Sequence, residues 1–350
     1  MTVTQTESPP APVTTRPARR RPDARPVGVA VVAVVLVVYP FVVTSVFAQN
    51  IGILALVFAT AAVGWNLLGG YTGQVSFGHA MFFGTGAYAT AYLVIHGWSP
   101  WATIPVGMVL AGIAALLVGW PTFRLRNHYF SIATIAVTQI VMIVVTNTEW
   151  LGRATGLELP IPEGTGLASL TWSPRDKVPY YFVALAMFAC AWSASAVLLR
   201  GRLGVYAKAV RDDQEAAAAI GVPVLRVKMI MTSASGVLAA LAGSYFALYV
   251  GIVDPSSVIG LNLSVQIALI AVLGGVGTLA GPLLGAWALI FLQEYTRTAW
   301  SSSGRSLDLL IYGTLIVLVT LVEPGGIVGL GSRLWRLVRR VTGRPEDVAG

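Results

Sequence analysis

The sequence predicts an all-α, polytopic membrane protein with about ten transmembrane helices, and three observations support this fold class. Of the 350 residues, 56% are hydrophobic and only 11% are charged, whereas soluble globular proteins carry about 25% charged residues. Apolar runs close to the length that crosses a bilayer, about 20 residues, recur along the chain. Lys and Arg fall between these runs rather than inside them. The chain therefore has too few charges to cover the surface of soluble domains of this length.

Ten apolar segments are the candidate spans. The second, third, ninth and tenth are short or crowded by glycine, so a re-entrant segment is an alternative to a full crossing for each of these four. In chain order the segments are Val27–Phe47, Ile51–Leu68, Phe77–Ile95, Trp101–Trp120, Tyr129–Thr146, Tyr180–Leu199, Met229–Val250, Leu261–Leu279, Pro282–Thr298 and Leu307–Val322.

The distribution of basic residues predicts the orientation. Ten crossings place both termini on one side, and eighteen of the 23 Lys and Arg residues then lie on that side. The positive-inside rule makes this side cytoplasmic and the protein a component of the cell membrane. We therefore expect a disordered cytoplasmic tail at 1–26, a transmembrane domain at 27–322 with a cytoplasmic loop at 200–228, and a basic cytoplasmic tail at 323–350.

Several functions fit the sequence poorly. No ionisable residue lies near the middle of a predicted span, which argues against a proton-driven carrier, although Na⁺ coupling through backbone carbonyls stays open. Neither rings of charge nor a potassium-type filter sequence supports an ion channel. The topology explains the net charge of +8, so we expect no nucleic-acid partner.

We expect no catalytic, metal or cofactor site in this chain. His79, His96 and His128 are too scattered for a metal site, and Cys190 is the single cysteine. The glycine-rich phosphate-binding motif with its Lys is absent, so ATP would not be bound here by that route.

The segment Trp65–Tyr88 carries six glycines together with the polar residues Asn66, Gln74, Ser76 and His79. Irregular backbone at membrane depth is tolerated only inside protein or beside a water-filled cavity, and helices broken by glycine often line transport pathways. The alternative is close helix packing through small residues, with His79 hydrogen-bonded to a neighbouring helix. The residues alone leave both alternatives open.

The segment Ile270–Gly285 contains a second group of glycines. Gly277, Gly281 and Gly285 recur every fourth residue, a pattern that lets helix backbones approach closely. Helix packing, within the chain or against a partner subunit, is the favoured interpretation.

The loop Arg200–Lys228 is the longest predicted cytoplasmic loop and the most basic. Leu203, Tyr206 and Val210 recur at helical spacing. The acidic residues Asp212, Asp213 and Glu215 open a second short helix, and Gly221 with Pro223 ends it. A loop that only connects two spans does not need a capped helix, so this loop is expected to dock a cytoplasmic partner.

Two sets of residues resemble known transporters. Glu215, Ala216, Ala217 and Gly221 resemble the conserved loop motif of permeases of ATP-binding-cassette importers, although the downstream Leu-Pro is missing. The stretches Gly70–Tyr88, Arg124–Phe130, Arg211–Gly221 and Gly251–Gly285 are similar to the LivM-type branched-chain amino acid permeases, over about residues 50 to 330. The usual Thr-Gly-Gly of that family appears only as Thr155–Gly156.

The resemblance implies the permease fold and partners of an ATP-driven importer. These partners are a second, LivH-like permease, two cytoplasmic ATPases that bind the ATP, and an extracytoplasmic solute-binding protein. Translocation would proceed by alternating access without chemistry on a small zwitterionic solute, most simply a branched-chain amino acid. Urea and short-amide permeases share the same sequence blocks and remain an alternative, as do a stand-alone carrier and a membrane scaffold.

The resemblance and the residues together identify two candidate sites. The first is the contact with the ATPase, expected at Arg211, Asp212, Glu215, Ala216, Ala217 and Gly221. The second lines or gates the translocation path, expected at Asn66, Gly73, Gln74, Ser76, His79, Gly274, Gly275 and Gly277.

Overall fold

The computed structural model describes residues 25–125, 128–160, 166–173, 176–299, 313–314 and 326–329. The tenth predicted span and both predicted tails lie almost wholly outside these residues. In chain order the elements are α1 Arg25–Val42, α2 Val46–Trp65, a π-helical turn Asn66–Gly70, α3 His79–Ile95, α4 Pro100–Thr122, α5 His128–Asn147, a 3₁₀ turn Glu149–Leu151, β1 Leu157–Glu158, α6 Val178–Arg200, α7 Arg202–Asp212, α8 Gln214–Ala219, α9 Val224–Val250, β2 Ile252–Val253, α10 Pro255–Val258, α11 Leu261–Gly274 and α12 Gly281–Ala299.

The helices confirm the predicted all-α membrane fold. Nine of them, α1 to α6, α9, α11 and α12, correspond to the first nine predicted spans. Within the described residues, six helical stretches are long and apolar enough to cross a membrane; they are 46–70, 100–122, 128–147, 178–200, 224–250 and 255–274. The chain is thus a multi-pass membrane protein, and the count of about ten spans stays a prediction.

The chain divides into two compact units, residues 1–39 and residues 40–350. Helix α1 contributes most of its length to the first unit and is apolar from Gly28 to Val42. The elements from α2 to α12 belong to the second unit.

Helices α2 and α9 form the centre of the second unit. Helix α9 packs against α2, α3 and α4, and α2 also packs against α6, α11 and α12. From Ile51 onwards almost every residue of α2 is buried, as expected for a helix that is apolar all round. Small residues let the backbones approach, because a Cβ on Gly86 would lie 2.2 Å from the carbonyl oxygen of Ala240.

Helix boundaries differ from the sequence prediction by up to five residues; α1, for example, ends at Val42 and not at Phe47. Helix α2 begins at Val46, five residues earlier than predicted, and Gln49 in its first turns donates to the carbonyl of Val43 at 2.9 Å. Helix α9 begins at Val224 rather than Met229, so the buried Lys228 belongs to a helix and not to the loop. Helix α11 ends at Gly274, and the residues up to Ala280 form a turn instead of continuing to Leu279.

At the end of the bundle where α9 finishes, two-residue strands form an antiparallel ribbon, with Leu157 opposite Val253. The Thr155–Gly156 pair leads into β1, and a Cβ on Gly156 would lie 2.1 Å from the carbonyl oxygen of Val253. Beside the ribbon, the ammonium of Lys177 lies 4.7 Å from the ring centre of Tyr249. Burial lowers the pKa of Lys177. The ribbon therefore closes the long loop between α5 and α6 onto the end of α9.

Candidate functional site

The two glycine-rich segments meet at the end of the bundle opposite the ribbon. We call this region the glycine junction and define it as Asn66–His79, Gly274–Thr278 and the side chain of Arg211. Its first part is the π-helical turn that ends α2, in which the N–H of Tyr71 donates to the carbonyl of Asn66 at 3.0 Å. Such widened turns are frequent at functional sites.

The side-chain amide of Asn66 connects the two segments. Its Nδ2 donates to the carbonyl oxygen of Thr278 at 2.8 Å, and its Oδ1 accepts from the N–H of Gly277 at 2.8 Å. A backbone N–H needs an acceptor and a carbonyl needs a donor, so only one orientation of the amide satisfies both. Asn66 is 3% exposed, and both bonds therefore lie in surroundings where an unpaired polar group is costly.

Glycine is required on both sides of this contact. A Cβ on Gly70 would lie 2.0 Å from Asn66 Oδ1 and 2.7 Å from the nitrogen of Gly277. Gly277 has a φ of +73°, which L side chains rarely adopt. The close approach and the bend thus depend on the absence of side chains at these two positions.

Helices α11 and α12 pack closely directly beyond the junction. A Cβ on Gly274 would lie 1.8 Å from the carbonyl oxygen of Gly281, and one on Gly285 would lie 1.9 Å from that of Ile270. The predicted packing role is confirmed for Gly281 and Gly285, which pack against α11 of the same chain, whereas Gly277 lies in the turn between the two helices.

The polar residues before α3 are held by neighbouring helices. The indole of Trp65 donates to the carbonyl of Ser76 at 2.7 Å, and Oγ of Ser76 accepts from the N–H of Gly78 at 3.1 Å. His79 is fully buried, with its Nε2 2.6 Å from Oγ of Ser235 on α9. This hydrogen bond is the packing contact proposed as one of the two alternatives for His79.

The first turn of α3 also has its free backbone groups satisfied by other helices. The N–H of Ala80 donates to Oγ of Ser264 on α11 at 2.9 Å, and that of Phe77 donates to Oγ1 of Thr134 on α5 at 3.1 Å. The first N–H groups of a helix lack partners within the helix, and inside a membrane protein they must be paired. Hydroxyl groups from α5 and α11 thus fix where α3 begins.

Arg211 reaches the junction from α7. Its Nη1 donates to the carbonyl oxygen of Gly70 at 3.2 Å. A Cβ on Gly73 would lie 3.0 Å from Cγ of Arg211, and a Cβ on Gly277 would lie 3.0 Å from its Nη1. The side chain of Arg211 thus lies between two glycines that both have positive φ, +71° and +73°.

The predicted docking loop forms two short helices. Helix α7 buries Gly204, Ala207 and Val210. Asp213 caps α8 by accepting from the N–H groups of Glu215 and Ala216 at 2.8 and 3.0 Å. The predicted capped helix is confirmed, although Asp212 ends α7 instead of opening α8.

The end of α8 is fixed by a left-handed residue and by a contact with α9. Gly221 has a φ of +88°, and the N–H of Val222 donates back to the carbonyl of Ala217 at 3.0 Å. Nζ of Lys228 on α9 donates to Oε1 of Gln214 at 2.8 Å. Ala217 is buried against the chain itself, whereas Glu215 and Ala216 are exposed. The exposed side of α8 therefore carries Glu215 and Ala216.

Comparison with known proteins decides the family. The family model described as "Branched-chain amino acid transport system / permease component" matches residues 47–320. The chain belongs to this family. The match includes every helix from α3 to α12, the glycine junction and the loop α7–α8.

Individual relatives are similar over most of this permease. It is 29% identical to the high-affinity branched-chain amino acid transport system permease protein LivM of Escherichia coli, over 84% of this chain and 73% of the relative. It is 25% identical to LivH of Salmonella typhimurium, over 78% of this chain and 91% of the relative. The autoinducer 2 import system permease protein LsrC of Salmonella paratyphi B is 27% identical, over 54% of this chain and 52% of the relative. No solved structure matches the permease.

The structure brings together the residues that the sequence analysis selected for the path. All eight predicted path residues lie in the glycine junction: Asn66, Gly73, Gln74, Ser76, His79, Gly274, Gly275 and Gly277. Asn66 bonds directly to Gly277, whereas His79 bonds to Ser235 on α9. Arg211, selected for the contact with the ATPase, also reaches the junction. The hydroxyl partners Thr134, Ser235 and Ser264 were not among the predicted site residues. The available signal was the presence of Ser and Thr residues within otherwise apolar spans.

Proposed function

We propose that this permease is the membrane subunit of an ATP-driven importer that carries a small zwitterionic solute, with branched-chain amino acids as the first candidates. The match of residues 47–320 to the permease family carries the proposal. The higher identity and wider coverage of the LivM relative, compared with LsrC, favour an amino acid over autoinducer 2 as the solute.

The energy for transport would come from subunits other than this chain. ATP would be bound by two cytoplasmic ATPases, and this chain would have no catalytic role. A second, LivH-like permease would complete the membrane part, and an extracytoplasmic binding protein would deliver the solute. The LivM and LivH relatives, named as permease proteins of one kind of transport system, support an assembly of several components.

The loop α7–α8 is the proposed contact with an ATPase. It forms a compact pair of helices with the exposed residues Asp212, Glu215 and Ala216, and it lies in the most basic of the predicted cytoplasmic loops. The positive-inside rule supports this side as cytoplasmic, with both termini on the same side. The glycine junction would then lie at the cytoplasmic end of the path and act as its gate.

Uptake by a reconstituted complex tests this function. The permease would be co-purified with the other subunits expected from its gene neighbourhood and placed in liposomes, and uptake of labelled leucine would be measured with the binding protein outside and ATP inside. Uptake that needs ATP, both ATPases and the binding protein supports the proposal. Uptake by the permease alone would instead identify a carrier.

The ligand of the binding protein decides the solute. Calorimetry with leucine, isoleucine, valine, urea and acetamide would compare the two solute classes directly. Tight binding of urea or acetamide and not of the amino acids would leave the importer in place but replace its solute.

The docking surface has its own test. Glu215→Lys should reduce co-purification of the ATPases, because it reverses the charge on the exposed side of α8. Glu149→Lys is the matched control, since Glu149 is also exposed but lies just before the ribbon at the other end of the bundle. Equal recovery of the ATPases with both variants would remove α8 from the docking surface.

A further inference from the structure

Arg211 is unusual among the residues of the loop α7–α8 because its head group contacts the membrane-embedded helices. The side chain belongs to α7, yet its Nη1 lies 3.2 Å from the carbonyl oxygen of Gly70 at the end of α2. The neighbouring cations Arg202 and Lys208 on α7 are exposed. Arg211 is itself 41% exposed, and its Nε also lies 3.4 Å from Oδ1 of Asp212. Among the three cations of α7, Arg211 is therefore distinguished by its contact with the glycine junction and not by burial.

The Gly70 carbonyl is an appropriate acceptor for a guanidinium. The last carbonyl groups of a helix have no partner within the helix, and the helix dipole places partial negative charge there. A donor from another helix therefore satisfies a group that α2 cannot satisfy itself. A hydrogen bond with a charged donor is stronger than one between neutral groups.

Two glycines lie next to the side chain of Arg211. Gly73 and Gly277 flank the side chain from the two glycine-rich segments, and a Cβ on either would come within 3.0 Å of it. Both glycines have positive φ, a backbone conformation that L side chains rarely adopt. A smaller residue in place of Arg211 would leave this space unfilled.

The amide of Asn66 extends the contact to the second segment. Arg211 holds Gly70, and Asn66 in the same π-helical turn holds Gly277 and Thr278 through bonds of 2.8 Å. A shift of α7 that the side-chain torsions of Arg211 do not absorb either breaks the 3.2 Å bond or moves Gly70 with it, because hydrogen bonds weaken beyond about 3.5 Å. Arg211 and Asn66 thereby connect three segments that lie far apart in the sequence: α7, the π-helical turn and the turn between α11 and α12.

We propose that Arg211 is the positioning residue that makes the glycine junction move with α7, so that a displacement of the docking loop reaches the end of α2 and the turn between α11 and α12. The proposal rests on the proposed function, in which the ATPases move this loop. It assigns Arg211 to transmission within the permease and leaves the contact with the ATPase to the exposed residues of α8.

The test compares transport with ATP hydrolysis in the same complex. Arg211→Ala should leave assembly with the ATPases and ATP hydrolysis intact while lowering the solute imported per ATP by about tenfold, a size typical of a single coupling between sites. Arg211→Lys keeps the charge and one donor and should give an intermediate ratio. Lys208→Ala removes a cation from the exposed surface of α7 and should leave the ratio unchanged.

A distance measurement on the permease itself gives a second readout. Spin labels at Lys208→Cys and Val276→Cys, in a Cys190→Ser background, report the separation between α7 and the turn beside Gly277. The distance distribution should be narrow with Arg211 present and should broaden with Arg211→Ala. This measurement needs no transport, so it separates a failure of the link from a failure of the proposed function.

Three results would overturn the proposal. The first is an unchanged ratio of uptake to ATP hydrolysis in Arg211→Ala. The second is loss of ATPase binding by a folded Arg211→Ala permease, which would make Arg211 a docking residue. The third is a distance distribution that does not respond to Arg211→Ala. Absence of ATP-driven uptake by the unmodified complex would instead refute the proposed function.

Discussion

Asn66 and Gly277 lie 211 residues apart in the chain and are joined by a hydrogen bond of 2.8 Å from the backbone N–H of Gly277 to Oδ1 of Asn66. The same amide donates to the carbonyl of Thr278, so one side chain satisfies two backbone groups in a turn that cannot satisfy them itself. The stability of the turn between α11 and α12 therefore depends on a residue of α2's terminal turn.

Asn66→Ala should lower the stability of the permease. It leaves the N–H of Gly277 and the carbonyl of Thr278 without their partner. Both groups are half-buried, so each that stays unpaired costs about 1 kcal/mol, the low end of the range for buried groups. Thermal unfolding in detergent, followed by intrinsic fluorescence, measures the effect. Asn147→Ala is the control, because Asn147 is exposed and bonds only to the carbonyl of Ile143 on its own helix. Equal shifts for both variants would contradict the role of Asn66.

Gly277→Ala should destabilise the permease more than Gly251→Ala does. Both glycines have similar positive φ, +73° and +78°, so the backbone strain of about 1–2 kcal/mol is shared. A Cβ on Gly277 also meets Arg211 at 3.0 Å, whereas a Cβ on Gly251 meets nothing within 4 Å. The difference between the two melting temperatures measures the contacts of this Cβ with Arg211 and with the carbonyl oxygen of Gly70 at 3.2 Å. No difference would mean that both neighbours move aside without cost.

Asp213→Ala should loosen α8. The carboxylate of Asp213 caps two N–H groups, and loss of such a cap costs about 1 kcal/mol. Faster amide hydrogen exchange over residues 214–219 would show it. Asp213→Asn retains an acceptor and should exchange nearly as slowly as the unmodified chain. Asp212→Ala, one residue earlier and outside the cap, should leave exchange unchanged; protection that survives Asp213→Ala would show that the cap is dispensable.

Asp254 should make stability depend on pH in the acidic range. Burial raises the pKa of Asp254, but hydrogen bonds from Ser256 and Ser257 outweigh this effect and hold the pKa below its ordinary value of 3.8. A carboxyl whose pKa is lower in the folded state contributes stability above its unfolded pKa and loses it as the pH falls through the folded pKa. The melting temperature should therefore fall as the pH decreases below about 4.

Two variants at this site check that Asp254 is the titrating group. Asp254→Asn should reduce the acid dependence of the melting temperature, because the titrating group is gone. Ser256→Ala removes the bond from its Oγ to the carboxylate and should give an intermediate dependence. An acid transition in Asp254→Asn as large as in the unmodified protein would assign the effect to another carboxyl.

The sequence predicted the features that follow from local pattern. Apolar length placed the helices from α1 to α6, and the Asp-rich start with Gly221 at the end placed α8 within two residues. Both signals depend on neighbours in the chain. The end of α1, the start of α2, the start of α9 and the end of α11 were each wrong by five residues. For α9 and α11 the reason is tertiary, because Lys228 is accommodated by Gln214 and the turn after Gly274 depends on Asn66.

The junction itself could not be derived from the sequence. Nothing in the periodicity around Asn66 indicates that its amide meets Gly277, and the charge of Arg211 alone predicts a surface residue. Such contacts depend on how α2, α7 and α11 pack, which places groups together that lie more than 60 residues apart. The glycines in the sequence indicated where the junction lies, whereas the contacts within it depend on how the helices pack.

The way α3 begins has a consequence for biosynthesis. The groups that pair with its first residues come from α5, α9 and α11, the last of them at Ser264. While the ribosome is still making α6, the partners on α9 and α11 have not yet been synthesised. Until then, the imidazole of His79 and the N–H of Ala80 must bond to other groups, such as water or the insertion machinery. A chain released at this stage would expose these unpaired polar groups to lipid. The exposed groups would distinguish it from the finished protein, and a membrane protease could recognise them.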